Sequence, residues 1–169
     1  MITHAQLLEL LRYEPETGQF IWLTGKNAWK PAGKLLPARK FTTRSGMSLP
    51  YWTVGILGKT YFRAKLAWFY VTGEWPAMEV DHRDTDSIND RWDNLREATR
   101  QQNNANRRTF KNNKTGHKGV HYRDDIKKYR AMISVGGRNR SLGHFEKFEE
   151  AAAVYEQHAV QAFGEFARM

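Results

Sequence analysis

Apolar residues recur at helical spacing near the start of the chain, where HAQLLELLR (residues 4–12) clusters its leucines on one face of a short helix. The pattern then changes. Pro15 and Gly18 in YEPETGQFIW mark a turn that feeds a strand through Phe20, Ile21 and Trp22. Residues 23–49 are polar, basic and broken by Gly and Pro, which predicts loops with weak strands. YWTVGILGKTYFRA alternates about Leu57-Gly58-Lys59 and predicts a hairpin. KLAWFYVTG (65–73) predicts a helix with Ala67, Trp68 and Val71 on one face and Gly73 as its stop. EVDH (79–82) reads as a strand, LREAT (95–99) as a short return strand and RQQNNANRR (100–108) as a helix.

RRTFKNNKTG (107–116) is basic and polar, with Asn-Asn and Thr-Gly breakers, and predicts a linker. Beyond it, KGVHYRDD, KKYRAMISVGG and RNRSLGHF predict three short strands turned at Asp124-Asp125 and Gly136-Gly137. FEEAAAVYEQHAVQAFGEF predicts an alanine-rich amphipathic helix. Alternation puts Val120, Tyr122, Tyr129, Ala131, Ile133, Val135 and Leu142 on one face, toward Ala151, Val154 and Tyr155 of that helix. The expected fold class is α+β. It has an N-terminal domain over 1–106, a linker over 107–116, and a three-stranded antiparallel sheet packed on one helix over 117–169. No period is shared between the halves, so no internal repeat is expected.

Hydrophobic content of 40% across 169 residues supports real cores rather than a disordered chain. The longest apolar run, LAWFYV, is far short of the ~20 residues that span a bilayer, so no membrane association is expected. The N-terminus lacks the basic and small-residue marks of a signal peptide. With no cysteine there is neither a disulfide nor a thiolate zinc site, which fits a cytoplasmic protein. The net charge is +9, and residues 100–147 alone hold 13 Lys+Arg against 3 Asp+Glu. That one segment accounts for the whole excess. A basic block so localised points to a polyanion, with a merely solvating surface as the plainer reading. Lys26, Lys30, Lys34, Arg39, Lys40 and Arg44 form a second, looser basic group.

The richest chemistry lies in EVDHRDTDSINDRWDNLREATRQQNNAN (79–106). Phosphodiester cleavage needs a proton taken from water, charge neutralised on the phosphate, and a stabilised leaving oxygen. A neutral histidine suits the first task. A hard cation held by oxygen ligands suits the other two. Asp81 and His82 are neighbours, so both serve one site only at a strand end or bend. Asn94 precedes the return strand, where its amide either holds the His82 ring in one tautomer or fixes the loop. The following helix carries Asn103. Asn89, Asn104 and Asn106 read more simply as turn and cap residues.

Asp81-His82, Asn89, Asn94-Leu95, Thr99, Asn103 and Asn106 resemble, in kind and spacing, the HNH endonuclease motif of the phage and intron homing branch. FRAKLAWFYVTGEWP resembles the segment that precedes the motif there. The resemblance implies a ββα-metal nuclease domain, with His82 as general base, Asp81 and Asn103 as ligands of a divalent metal (Mg2+ or Mn2+), and Asn94 as the middle residue of the motif. The final histidine of the family name is Asn103 here, an amide that suits magnesium or manganese better than zinc.

Lys118-Gly119-Val120, Tyr129-Arg130-Ala131, Leu142-Gly143-His144-Phe145, the Glu-Glu-Ala-Ala-Ala helix start and Gly164-Glu165-Phe166-Ala167 resemble the plant ethylene-response (Apetala-type) DNA-binding domain. By alternation the second face of the sheet carries His121, Arg123, Arg130, Met132, Ser134, Asn139 and Ser141, a polar and basic surface that can enter a major groove. Arg123 and Arg130 are the candidates for base edges. Lys118, Lys127, Lys128, Arg138 and Arg140 face phosphate or solvent. Arg107, Arg108, Lys111 and Lys114 in the linker suit the DNA backbone or minor groove.

The expected protein is thus a metal-dependent endonuclease of double-stranded DNA, of homing type, monomeric or homodimeric, cutting one strand per site. The competing reading is a DNA-binding regulator that keeps an inactive nuclease fold. Such a protein has no need of Asp81, His82 and Asn103 at this spacing.

Overall fold

The structure, a computed structural model, describes residues 1–25, 32–42, 48–109 and 113–169, with backbone only at 48 and 49. Lys26, Lys30, Arg44 and Lys111 lie outside the described residues. The chain divides into two compact units, Met1–Glu97 and Ala98–Met169. The division falls before the helix that the sequence reading places in the N-terminal domain. The reason is packing: Ala98 and Ala105 are buried among the second unit's apolar residues.

The first unit opens with α1 (His4–Leu10), started by a capping box in which Thr3 and Gln6 bond each other's backbone N–H through their side chains. The chain passes straight into a hairpin of β1 (Leu11–Glu14) and β2 (Gln19–Trp22). The sequence reading found β2 but not β1, because LRYE carries no turn signal ahead of it. β3 (Ala38–Thr42), β4 (Ser48–Ile56) and β5 (Lys59–Phe62) form an antiparallel sheet, with β4 in the centre. Leu57 and Gly58, both at positive φ, make the two-residue turn between β4 and β5.

α2 (Arg63–Thr72) follows and ends at Gly73, whose N–H bonds the Phe69 carbonyl. It buries Arg63, Leu66, Ala67 and Phe69. The expected face of Ala67, Trp68 and Val71 is therefore rotated, and Val71 is 43% exposed. The helix starts two residues earlier than predicted, and Leu66 is the residue that meets the core. That core joins Leu7, Leu10, Leu11, Tyr13, Phe20, Val54, Ile56, Leu66 and Phe69. β6 (Glu79–His82) and β7 (Leu95–Ala98) pair as a two-stranded ribbon.

The second unit contains α3 (Arg100–Asn106), again begun by a capping box, here Thr99 with Gln102. β8 (Val120–Arg123), β9 (Lys128–Val135) and β10 (Arg138–Phe145) form an antiparallel sheet in the order β10-β9-β8. α4 (Phe148–Phe163) packs against it. Val120, Ala131 and Ile133 from the sheet meet Ala151, Ala152, Tyr155, Ala159 and Phe163 from the helix. Tyr122 departs from its expected inward position: it is 41% exposed and lies beside the Tyr129 ring at 5.0 Å.

Gly18 matters most for the site. Its φ is +70°, and a Cβ there would stand 2.4 Å from the Asp90 carbonyl carbon. Gly18→Ala is expected to cost about 1–3 kcal/mol, since both backbones must give way. Chemical denaturation of the full chain reads this. An unchanged midpoint would mean that the hairpin does not press on Asp90.

Candidate active site

β6 ends in two buried polar residues, Asp81 at 4% and His82 at 6% exposure. Their side chains go to different partners, as alternation along a strand requires. Asp81 Oδ2 accepts from Arg96 Nε on β7 at 2.9 Å, both side chains being buried. His82 Nε2 lies 2.7 Å from Oδ1 of Asp90. Asp90 is itself 1% exposed.

Asp90 is the centre of this region. Its Oδ2 accepts from Arg63 Nε at 2.6 Å. The Arg63 Nη2 group donates to the Ile88 carbonyl at 3.0 Å, and its guanidinium lies 5.6 Å from the Trp52 ring centre. The Tyr13 hydroxyl donates to the Asp90 carbonyl at 2.7 Å. Burial, and then the charge of Asp90, push the Tyr13 phenol well above its ordinary pKa.

The loop between β6 and β7 is tied to itself. Asp84 accepts from the Asn89 amide at 2.7 Å, from the Asn94 amide at 2.9 Å and from the Asp86 N–H at 2.8 Å. Asn94 also donates to the Asn89 carbonyl and accepts from the Asp84 N–H, while its own carbonyl takes the Arg83 N–H. Burial works against ionisation of Asp84. Hydrogen bonds from Asn89, the Asp86 N–H and Asn94, with His82 nearby, outweigh it and hold the carboxyl below its usual range. Of the two roles weighed for Asn94, these bonds are those of a loop-fixing residue. Asn89 belongs to the same loop.

Asp81, His82 and Asn94 therefore come from one ribbon and its loop in the first unit. Asn103 stands on α3 of the second unit. Asp90, Asp84, Arg63 and Arg96 were missed by the sequence reading. The local signal of the two aspartates was the carboxylate-rich DTDSIND stretch, which reads equally well as a polar loop, and Arg63 and Arg96 lie outside it.

In the second unit, pairing sets the outer row of the sheet. Arg130 lies opposite His121 on β8 and His144 on β10. Met132 lies opposite Ser141, and Ser134 opposite Asn139. His144, named from the sequence only as part of the Leu142–Phe145 landmark, joins this face. Arg138 is exposed but pairs with Val135, so it alternates away from Asn139. Arg123 is tied to Asp125 by Nε–Oδ1 at 2.8 Å and Nη2–Oδ2 at 2.5 Å. This bond holds the Asp125 carboxyl at about 2.

Lys118, expected to face phosphate or solvent, instead caps α3: its ammonium donates to the carbonyls of Asn104, Ala105 and Arg107. Burial, with Arg168 and Arg107 nearby, lowers its pKa to about 8, while those three carbonyls favour the charged form. Arg107 is the C-cap of α3 and donates to Asn104, with Arg108 next to it.

Small antiparallel sheets with short helices define a mixed α/β protein, with a buried histidine–carboxylate pair at a strand end. A family model described as HNH endonuclease matches residues 62–105, a span that holds α2, both ribbon strands and nearly all of α3. The chain is 33% identical over 112 residues to "Uncharacterized HNH endonuclease L560" of Acanthamoeba polyphaga mimivirus, covering 66% of this chain and 57% of that protein. It is 30% identical over 89 residues to "Protein 3.8" of Escherichia phage T7, covering 53% of this chain and 73% of that protein. No solved structure matches. Residues 62–105 thus form an HNH endonuclease family domain, and the chain spans 57% of the length of its mimivirus relative. Among the described residues no helix is long and apolar enough to cross a membrane.

Proposed function

We propose that the protein is a metal-dependent endonuclease of double-stranded DNA. The observation that carries the reading is His82, buried at the end of β6 and bonded to Asp90, inside the stretch that matches the family. HNH nucleases generally use divalent cations, and the donors of the motif fit one. Asp81 offers a carboxylate and Asn103 an amide oxygen, the hard ligands that magnesium or manganese takes while keeping several waters. No group of three or more His, Cys, Asp or Glu side chains clusters among the described residues, so an all-protein zinc cage does not fit. When bound, the ion would neutralise charge on the phosphate and stabilise the leaving oxygen. His82 takes the proton from the water that attacks the phosphorus in line. Arg96 holds the Asp81 carboxylate at one oxygen.

One such site cuts one strand. A monomer then nicks, and a double-strand break needs a homodimer or two events. In this proposal the protein is of homing type, acts in the cytoplasm of an infected or host cell, and reads DNA through an ethylene-response-type unit over residues 117–169. That last part is supported by the polar outer row of His121, Arg130, Met132, Ser134, Asn139 and Ser141. Arg123 reaches DNA by exchanging Asp125 for phosphate or a base, and Arg107, Arg108 and Arg138 add backbone contacts.

The test is incubation of supercoiled plasmid with the full chain in magnesium, manganese or EDTA, alongside a gel shift. Open circle in either metal, absent in EDTA, is expected, as is a weaker shift for Arg130→Ala by roughly 10-fold. Binding without cutting in any metal would move the assignment to a DNA-binding regulator.

A further inference from the structure

Asp90 has no role in the motif reading, yet it is the most buried carboxylate of the region and faces the ring on which the proposed chemistry turns. Its two oxygens have separate duties. Oδ2 takes the Arg63 guanidinium, and Oδ1 meets His82 Nε2. A carboxylate in an ion pair accepts hydrogen bonds, so the ring nitrogen facing it must donate. In the neutral ring this puts the His82 proton on Nε2 and the lone pair on Nδ1.

The Asp90 backbone is held as firmly as its side chain. Tyr13 of β1 donates to its carbonyl, the Trp92 N–H bonds the Pro15 carbonyl, and Gly18 lies against its carbonyl carbon. All three contacts come from the β1–β2 hairpin and its turn, which precede the stretch that matches the family.

We infer that Asp90 is the positioning residue of His82, fixing the ring so that Nδ1 is the atom that takes the proton, and that the N-terminal hairpin is the support that holds Asp90 in place. The inference rests on the nuclease reading for its consequence but not for its geometry. A carboxylate bonded to the second nitrogen of a functional imidazole sets tautomer and ring orientation together. Loss of this bond removes the acceptor that favours the Nε2–H tautomer of His82.

Two measurements on the full chain test this. The first is the nitrogen-15 spectrum of histidine-labelled protein at a pH where the His82 ring is neutral, for wild type and Asp90→Asn. Wild type is expected to show one tautomer, protonated at Nε2, and Asp90→Asn a mixture. The second is steady-state cleavage of a plasmid. Asp90→Asn is expected to lower kcat roughly 10–100-fold with KM nearly unchanged, since Asp90 is buried and does not touch DNA.

An Nδ1-protonated or mixed wild-type ring would overturn the inference. So would an Asp90→Asn protein with wild-type kcat, or one whose loss lies in KM alone. Asp90→Asn keeps the shape of the side chain, and the wild-type spectrum needs no variant at all, so a folding failure does not hide the answer. If wild type shows the Nε2–H tautomer, lost in Asp90→Asn, but cuts no DNA, the positioning stands and the nuclease reading falls.

Discussion

His82→Ala is expected to lower DNA cleavage roughly 10²–10⁴-fold, the range that a positioned general base contributes, while leaving the gel shift intact. The ring is 6% exposed and already engaged at Nε2, so it has little surface to offer as a DNA contact. Under the proposed mechanism its loss removes the proton acceptor and leaves the charged groups proposed to meet phosphate. Plasmid nicking under single-turnover conditions, with enzyme in excess, separates the chemical step from binding. Cutting at the wild-type rate by His82→Ala would remove His82 from the mechanism. A parallel loss of binding and cutting would mean that the ring serves structure first.

Arg63→Leu should be the most destabilising of the substitutions considered. Arg63 and Asp90 form an ion pair with side-chain exposures of 11% and 2%. Deleting one partner of such a pair costs about 3–5 kcal/mol, because the remaining charge stays buried without its counter-ion. The same substitution removes the bond to the Ile88 carbonyl and the packing on Trp52. For a unit of 97 residues, each kcal/mol is worth ~4–8 °C in Tm. A fall well beyond ~10 °C in the first unit's transition is therefore expected.

The double variant Arg63→Leu/Asp90→Leu discriminates the cause. If an orphaned charge is the main cost, the double variant recovers part of the stability lost by the single one. A single-variant loss below ~1 kcal/mol would class the pair with solvent-screened surface bridges.

The local elements were legible where their signals are local. Thr3 and Thr99 each begin a helix through a capping box, and Gly73 ends one; all three act within a few residues of their own position. The turn at Leu57-Gly58 and the strand ending at Asp81-His82 belong to the same kind. The rotated face of α2 shows the limit. Ala67, Trp68 and Val71 satisfy helical spacing, but which side of a helix is buried depends on where the rest of the core lies, and Leu66 and Phe69 meet it.

The site divides in the same way. Residue types and spacing along one stretch made Asp81, His82, Asn94 and Asn103 the candidates, because motif chemistry is carried by order along the chain. Asp90 and Arg63 are 27 positions apart, and Tyr13 meets the Asp90 carbonyl from 77 positions away. No periodicity links such residues. Their pairing follows from burial: a carboxylate withdrawn from water must find a cation and donors, and only the folded chain brings α2 and the first hairpin to it. The sequence by itself offered a histidine and oxygen ligands as candidates for phosphodiester chemistry, and placed the positive charge toward the C-terminal half. The tertiary structure decided which groups hold that histidine, because a buried ion pair forms only where several distant segments converge.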